Sequence, residues 1–537
     1  MSLRHPFPGS QAEGPRWPPA AAGLALVLLC ASAPGSPAPG AGPDPVVKVT
    51  GGLVRGRALA DGRAEVFKGI PFAAPPVGAL RWREPMPVPP WEGVRDACES
   101  GPPAEQVSFG WNDKIAADSR EDCLYLNVWT PSGAPGARNP VMVWIHGGAN
   151  LALAGGAEPI YDGTSLISHG VVLVVVEYRL GVFGFFAHPE LTRESPHRSS
   201  GNYGVLDQVA ALQWVQANIA GFGGDPGNVT VFGQSAGSMD IMAMMSSPLC
   251  RGLFRRAILE SGAPPRTLAR PLGEAEKAGL AVAAKLGAPP DRALAFLRSV
   301  APAGLLKAGP DINSFSVDGW VFPSPPFDVW HERGEYPVPI VFGSNAVEFP
   351  ATGSPDDIRE AIRGTFGTLA PGAIALYGLG AAGRAPSPDP VYGDLLDQWG
   401  SDLFRAPFVV HGEWHCAAGN SVWQYEFDRA ISPHPRVQHS SELPYVFGNF
   451  RERDGMVTGV FGETDRRLSS AIQAYWTNFA KTGDPNGPGL PAWPRFDGRR
   501  RAFLVFTTSG DVRPDENERG PYCDLFRELL NRPLAAQ

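Results

Sequence analysis

Residues 228–237 read Asn-Val-Thr-Val-Phe-Gly-Gln-Ser-Ala-Gly, and they place a serine between a strand-like run and a helical one. The β-branched run up to Phe232 predicts a strand over 229–232, and the following run predicts a helix over 237–245. In the pattern Gly-x-Ser-x-Gly, small residues on both sides let the chain turn sharply, so the hydroxyl of Ser235 projects above the sheet. Ser235 is therefore the candidate nucleophile, although the five-residue pattern by itself often arises by chance.

A second informative stretch lies upstream, where residues 141–149 read Val-Met-Val-Trp-Ile-His-Gly-Gly-Ala. A strand over 141–145 runs directly into a glycine-rich loop whose backbone N–H groups can converge on one point. Such preorganised donors stabilise the negative charge that develops on oxygen during acyl transfer. We assign this oxyanion hole to Gly147, Gly148 and Ala236, with His146 as a structural loop residue. A glycine-rich turn after a buried strand without any such role is the alternative reading.

The rest of the chain alternates short apolar runs with longer helical patterns. Strands are predicted at 171–176, 340–342 and 422–427, and helices at 206–218, 268–308 and 355–379. Continuous apolar strands are typical of a sheet covered on both faces, which predicts an α/β fold with a large, mostly parallel central sheet flanked by helices. No repeat or long linker interrupts the pattern, so one catalytic domain is expected over 46–537.

Composition and charge exclude several classes of protein. Of the 537 residues, 43% are hydrophobic and 19% are charged, which excludes a disordered, collagen-like or coiled-coil chain. The 46 basic and 54 acidic residues give a net charge of −8 and form no long runs. This balance argues against nucleic acid or an anionic membrane surface as the main partner.

The N-terminal residues have the order of a secretory signal peptide. Arg4, His5 and Arg16 precede an apolar run that ends near Ala33, and residues 34–45 are rich in Pro, Ala and Gly. The run is shorter than the roughly 20 residues that span a bilayer, so no stable membrane insertion is expected. We predict a signal peptide over 1–33, a flexible lead-in over 34–45, and a secreted or periplasmic protein.

Several motifs together resemble the type-B carboxylesterase/cholinesterase family of the α/β-hydrolase superfamily, and its bacterial secreted carboxylesterases in particular. The resemblance rests on segments that read Glu121-Asp-Cys-Leu-Tyr-Leu-Asn-Val, His146-Gly-Gly, Gly201-Asn-Tyr-Gly, Leu206-Asp-Gln, Phe222-Gly-Gly-Asp-Pro and Gly233-Gln-Ser-Ala-Gly. It extends from about Thr50 to Leu530. The resemblance implies the α/β-hydrolase fold, hydrolysis of small-molecule esters by an acyl-enzyme route, and no metal or cofactor.

A serine esterase needs a histidine base, oriented by a carboxylate, on loops that follow strands. Residues 339–348, Pro-Ile-Val-Phe-Gly-Ser-Asn-Ala-Val-Glu, resemble the family segment Gly-x-Asn-x-Asp-Glu-Gly, and Glu348 matches the family acid. Val347 and Phe349 depart from that segment, which leaves the local loop shape open. Asp356 and Asp357 are the alternative acids.

Two of the histidines lie in the loop after the strand at 422–427. His439 precedes Ser-Ser-Glu-Leu-Pro-Tyr-Val-Phe-Gly, which resembles the family's His-x-x-Glu-Leu-x-Tyr-Val-Phe-Gly, so it is the expected general base and His434 is expected to be solvated. His411 and His415 lie on a predicted helix and are expected at the surface. The order serine, glutamate, histidine along the chain is that of an α/β-hydrolase.

Five cysteines remain after the predicted signal peptide. The resemblance implies a disulfide between Cys98 and Cys123, worth ~3 kcal/mol by the loop-entropy relation and suited to an exported protein. Cys250 is expected to be buried, and whether Cys416 and Cys523 pair is left open.

Alternatives remain within the family and beyond it. A lipase, a thioester or amide hydrolase, or a toxin-ester hydrolase could use the same three residues, and inactive adhesion-type relatives typically lack one of them. The residue before the nucleophile is glutamate in cholinesterases but Gln234 here, which implies no preference for choline esters. Trp111 resembles the choline-binding tryptophan in position. The sequence leaves the preferred ester and the oligomeric state open.

Overall fold

A large mixed β-sheet, covered by helices on both faces, organises the molecule. The computed structural model describes residues 44–59, 62–132, 136–156, 159–380, 388–431, 436–450 and 460–532. The predicted signal peptide, all but the end of the predicted lead-in, and His434 lie outside these described residues. Within them, no helix combines the length and the apolar composition that crossing a bilayer requires.

The strands of the described residues are β1 Val46–Val49, β2 Gly52–Arg55, β3 Arg57–Ala58, β4 Ala64–Pro71, β5 Val94–Asp96, β6 Tyr125–Pro131, β7 Asn139–Ile145, β8 Val172–Val176, β9 Gly224–Gln234, β10 Arg256–Glu260, β11 Ala269–Pro271, β12 Phe315–Val317, β13 Ile340–Asn345, β14 Val422–Phe427, β15 Ala502–Phe506 and β16 Val512–Glu516.

The α-helices of the same residues are α1 Asp113–Asp118, α2 Thr164–Ile167, α3 Gly181–Gly184, α4 Pro189–Glu194, α5 Tyr203–Asn218, α6 Ala236–Met245, α7 Leu272–Lys285, α8 Ala293–Ser299, α9 Pro302–Ala308, α10 Pro326–His331, α11 Pro355–Phe366, α12 Ala370–Leu376, α13 Leu395–Ala417, α14 Leu443–Phe447, α15 Glu463–Thr482 and α16 Gly520–Leu530.

The main sheet has eleven strands in the order β16-β15-β14-β13-β10-β9-β7-β8-β6-β4-β3. The seven strands from β15 to β8 run parallel, and antiparallel strands flank them on both sides. The expected α/β class with a mostly parallel sheet is confirmed. Because the chain places β8 and β9 on opposite sides of β7, the sheet has a switch point beside β7, where ligands of such sheets bind at the carboxyl ends of the strands.

Strand β7 illustrates why the sheet must be covered on both faces. Val141, Val143 and Ile145 pack into the core on one face, whereas Met142 and Trp144 pack into the core on the other. All five side chains are fully buried. Alternate side chains of a strand point to opposite faces, so an uninterrupted apolar run gives two cores instead of one.

The segment at 268–308 is largely helical as predicted, but one unbroken helix is absent. The segment forms the short strand β11 and the three helices α7, α8 and α9. Gly287 ends the first helix with φ +72°, and the pair Pro289 and Pro290 follows it, while Pro302 starts the third helix at its first turn. Glycine and proline therefore divide an Ala/Leu-rich run that the sequence predicts to be helical without indicating its internal boundaries.

The predicted bridge between Cys98 and Cys123 is also absent, because all five cysteines of the described residues are free thiols. The Cys98 sulfur lies 3.8 Å from the carbonyl oxygen of Arg55, which lies on a neighbouring strand. Cys123 packs in the main core, where burial raises the pKa of its thiol well above the usual value. Cys250 is buried as expected, and Cys416 and Cys523 are unpaired.

Candidate active site

The chain turns sharply between β9 and α6, and Ser235 lies at the turn. Its φ of 56° and ψ of −121° are strained for a residue with a side chain. A Cβ atom at Gly233 would lie 2.6 Å from the carbonyl oxygen of Ile145, and one at Gly237 would lie 2.1 Å from the same oxygen. The two glycines are therefore needed because the end of β7 passes directly against the turn.

Glu348 and His439 form a hydrogen-bonded pair beside this turn. Nδ1 of His439 lies 2.6 Å from Oε2 of Glu348, and the backbone N–H of His439 donates to the Glu348 carbonyl oxygen at 3.1 Å. The Glu348 side chain is fully buried, and that of His439 is nearly so. A carboxylate in this position holds the imidazole in one orientation and stabilises its protonated form.

Glu348 is itself held from several sides. Its Oε1 accepts from the backbone N–H of Asn345 at 2.7 Å and from Nδ2 of Asn345 at 3.4 Å. Its own backbone N–H donates to Oγ of Ser401 on α13 at 2.9 Å. The neighbouring Gly400 allows this contact, since a Cβ there would lie 1.9 Å from the carbonyl oxygen of Phe349. The loop with the unusual residues Val347 and Phe349 thus docks against α13.

The other ring nitrogen of His439 contacts Gln234. Nε2 of His439 lies 3.0 Å from Nε2 of Gln234, the residue that precedes the candidate nucleophile. With the amide donating, the imidazole Nε2 is an acceptor and Nδ1 carries the proton that Glu348 accepts. Ser235 Oγ forms no hydrogen bond with any described residue. Gln234 thus contacts the ring nitrogen of His439 that does not face Glu348.

Two phenylalanines surround the imidazole. The ring of Phe349 lies over it with centroids 4.2 Å apart, and the ring of Phe404 on α13 meets it edge-on at 5.5 Å. The two phenylalanines also contact each other at 5.5 Å. Both are only partly buried. They restrict the rotation of His439 and give the approach to it an apolar wall.

The three candidate oxyanion donors lie around the turn. A Cβ at Gly147 would come within 2.7 Å of the Gln234 carbonyl oxygen and 3.0 Å of the Ser235 Cβ, so the backbone of this loop packs against the turn that carries Ser235. Gly148 has a φ of +97°, and Ala236 begins α6. None of the three N–H groups has an acceptor within the described part of the chain. Backbone N–H groups without an acceptor are the type of donor that an oxyanion hole uses.

Two further carboxyl groups lie beneath the pair. Burial and the nearby Glu348 raise the pKa of Glu442 to about 8, and burial and Glu442 raise the pKa of Glu260 well above its usual value. Trp476 donates to Glu260 at 2.7 Å and Asn345 donates to Glu442 at 2.7 Å. Burial thus favours the uncharged form of both groups, which limits their repulsion of Glu348.

The alternative residues lie elsewhere. Asp357 caps α11 through Ser354. Asp356 is exposed in the first turn of the same helix. The surface position predicted for His411 and His415 is wrong, because both are buried on the inner face of α13. His415 places Nδ1 2.6 Å from Oε1 of Glu335, and its Nε2 donates to the Val338 carbonyl oxygen at 2.8 Å.

Sequence reasoning missed the side chains that support the oxyanion loop from below. Asn150 and Asp240 are both buried and hydrogen-bonded to each other. A signal existed for Asp240, because it is an acidic residue inside the otherwise apolar run from Met239 to Met245. A buried acid in such a run needs a partner.

The family model described as the carboxylesterase family matches residues 43–362 and 379–523. A medium-chain fatty acyl-CoA hydrolase precursor from Anas platyrhynchos is 37% identical, over 87% of this chain and 89% of its own. The fumonisin B1 esterase of Sphingopyxis macrogoltabida is 36% identical, over 83% and 84%. The liver carboxylesterase of Sus scrofa is 35% identical, over 95% and 97%.

Solved structures of esterases have the same fold. A PNB esterase structure superposes with a TM-score of 0.77 at 33% identity, covering 91% of this chain and 99% of its own. A Geobacillus stearothermophilus carboxylesterase superposes with a TM-score of 0.75 at 32% identity, covering 89% and 99%. These matches confirm the α/β-hydrolase fold that the sequence predicts.

Proposed function

Because this chain belongs to the carboxylesterase family, whose members hydrolyse carboxylic esters, we propose that it cleaves small esters through an acyl-enzyme on Ser235. The observation that carries the proposal is the 2.6 Å hydrogen bond between Glu348 and His439, beside a strained serine whose hydroxyl is unengaged. All three residues of a serine esterase are present, which argues against the adhesion-type alternative.

The proposed reaction proceeds in two half-reactions. Ser235 Oγ attacks the ester carbonyl carbon while Nε2 of His439 takes its proton, and the carbonyl oxygen becomes an oxyanion facing the N–H groups of Gly147, Gly148 and Ala236. The tetrahedral intermediate collapses as His439 protonates the departing alcohol. Water then attacks the acyl-enzyme by the same route and releases the acid. Glu348 keeps the proton of the neutral imidazole on Nδ1 throughout.

In this scheme Gln234 and Ser235 contact the same atom, Nε2 of His439, at different stages of the reaction. Its amide N–H can donate to neutral His439, and after rotation its carbonyl oxygen can accept from the protonated ring. A substrate that brings Ser235 Oγ toward Nε2 displaces the amide. Catalytic hydrogen bonds that tighten only when substrate binds are common in free enzymes.

The substrate class is tested by measuring kcat/KM of the purified protein for matched acyl compounds. We expect the ester phenyl acetate to exceed acetanilide by at least about 100-fold in kcat/KM, because a phenoxide leaves far more readily than an anilide. A thioester such as phenyl thioacetate and esters of longer acyl chains belong in the same panel. Preference for the amide, the thioester or insoluble long-chain esters would favour the corresponding alternative enzyme. The relatives named for fatty acyl-CoA and fumonisin B1 make those two substrates useful additions.

We expect no preference for choline esters over neutral isosteres. Gln234 supplies no negative charge to a cationic head group, and its amide already contacts His439 at 3.0 Å. Trp111 could offer ~0.5–2 kcal/mol to a cation above its ring, but it is stacked on Phe109 at 6.0 Å. The measurement compares kcat/KM for butyrylcholine and 3,3-dimethylbutyl butyrate. An advantage for choline above about tenfold, or ~1.4 kcal/mol, would identify a cholinesterase instead.

We also propose that the protein is exported by the N-terminal segment at 1–33, on the strength of its charged start, short apolar run and small residues. N-terminal sequencing of the protein recovered outside the cytoplasm tests this. A start at Met1 in the exported protein would contradict cleavage.

A further inference from the structure

The loop that follows β7 is held in an unusual backbone conformation. Gly148, Ala149 and Asn150 all have positive φ angles, of 97°, 57° and 56°. This region is unfavourable for alanine and is tolerated best by glycine and asparagine. A loop with three such residues in a row needs contacts that hold it, because its relaxed conformations are different.

Asn150 supplies these contacts from beneath the loop. Its Nδ2 donates to Oδ1 of Asp240 at 2.8 Å, and its Oδ1 accepts from the Tyr178 hydroxyl at 3.1 Å. Its carbonyl oxygen accepts from the backbone N–H of Gly181 at 2.7 Å. The same Tyr178 hydroxyl also donates to the carbonyl oxygen of His146 at 2.8 Å, just before the candidate donors, so the two acceptors share its one proton. The Asn150 side chain is thus bonded at both ends.

Asp240 belongs to the other half of the oxyanion hole. It lies on α6, one helical turn after Ala236, and is fully buried. Its Oδ2 accepts from Nε2 of Gln208 on α5 at 2.6 Å, which fixes the carboxyl group from the opposite side. The bond between Asn150 and Asp240 therefore joins the loop of Gly147 and Gly148 to the helix whose first N–H is that of Ala236.

We propose that Asn150 and Asp240 are positioning residues of the oxyanion hole, and that their hydrogen bond sets the spacing between the loop donors and the helix donor. The inference rests on the proposed function, since it assigns a role in the same site. Neither side chain touches the substrate. Each acts through backbone N–H groups whose separation must match one developing oxyanion.

The first test is Asn150→Gly, which keeps a residue that accepts positive φ and removes only the amide. We expect kcat to fall about tenfold or more, while KM changes less than about threefold, because the lost alignment matters in the transition state. Affinity for a trifluoromethyl ketone, whose hydrate-like adduct carries the oxyanion, should fall by a similar factor. A loss confined to KM, or unchanged analogue affinity, would overturn the inference.

The matched control is Asn313→Ala. Nδ2 of Asn313 donates to the carbonyl oxygen of Ala149 at 2.9 Å, so this variant removes a hydrogen bond from the same loop without touching α6. We expect kcat within about threefold of the unmodified enzyme. Equal losses in the two variants would mean that general loosening of the loop explains the effect, which would overturn the role of the bond to Asp240.

Asn150→Asp gives a readout that a purely structural role would not produce. Burial raises the pKa of Asp240 to about 7, although the hydrogen bonds from Asn150 and Gln208 lower it. In the variant two buried carboxyl groups face each other and can be accommodated only while they share a proton. At low pH the two carboxyl groups share a proton and are hydrogen-bonded. At high pH both carboxyl groups are charged and repel each other. The other titratable groups nearby are Tyr178, whose pKa burial raises well above its usual value, and beyond it His146 and Glu177.

The ratio of variant to unmodified kcat/KM should therefore fall about tenfold or more between pH 6 and pH 9. A ratio that is independent of pH, or that rises, would overturn the inference even if Asn150→Gly does not fold. Fluorophosphonate labelling distinguishes a failure of the positioning role from a failure of the proposed function. Slow variants that still label at Ser235 support the positioning role, whereas an unmodified enzyme that does not label at Ser235 counts against the nucleophile itself.

Discussion

Replacing Ser235 by alanine is expected to lower kcat/KM for a simple ester by about four orders of magnitude or more, as the loss of a nucleophile does in serine hydrolases. The structural reason is that Oγ of Ser235 has no hydrogen-bond partner among the described residues and the residue is partly exposed. Deleting the hydroxyl therefore removes chemistry and leaves packing unchanged. The melting temperature should shift by no more than about 2 °C, since surface changes without packing or hydrogen-bond loss are nearly neutral.

Ser238→Ala is the matched control. Ser238 lies three residues further along, on α6, and its buried hydroxyl donates to the Gly262 carbonyl oxygen at 2.6 Å. We expect this variant to lose about 1 kcal/mol of stability, with kcat almost unchanged. Hydrolysis by Ser235→Ala within tenfold of the unmodified enzyme would contradict the assignment of the nucleophile.

The sequence predicted the parts of the fold that depend on local pattern. Strand β14 has the predicted bounds, Val422–Phe427, because a short apolar run between turn residues permits little else. The break of 268–308 into three helices was not predicted, since helical periodicity continues across the Gly287 and proline positions that end and begin helices. Local propensity is strongest inside elements and weakest at their ends.

Some features of the candidate site were likewise predicted from the sequence, and others were not. Glu348 and His439 followed from motif resemblance, and the structure brings their side chains together at 2.6 Å. The contact between His439 and Gln234 could not be predicted, because it joins residues 205 positions apart through the orientation of one amide. His415 was misassigned for a related reason. A helical pattern indicates which residues share a face, but it does not show that Glu335 from another segment packs against that face.

The second large effect is expected for Glu348→Gln, which should lower kcat by about 10⁴, as the equivalent change of acid to amide does in a Ser-His-Asp triad. Both the N–H and Nδ2 of Asn345 point at Oε1 of Glu348. In the variant this position must be the amide oxygen, because an NH₂ group there would face two donors. The NH₂ group then points at Nδ1 of His439 and donates to it. The imidazole proton moves to Nε2, where it blocks removal of the Ser235 proton.

The chain contains its own control for this argument, the pair of Glu335 and His415. Its carboxylate oxygen and ring nitrogen are also 2.6 Å apart, but Nε2 of His415 donates to the Val338 carbonyl oxygen in the core. Glu335→Gln should therefore reduce the melting temperature and leave the kcat of the folded enzyme within about threefold, because disturbing a buried hydrogen-bonded pair destabilises the fold without touching substrate. Activity and thermal unfolding of both variants are measured side by side. Equal loss of kcat in the two variants would contradict a specific role of Glu348 in catalysis. Loss confined to Glu348→Gln identifies the tautomer of His439 as the property that Glu348 controls.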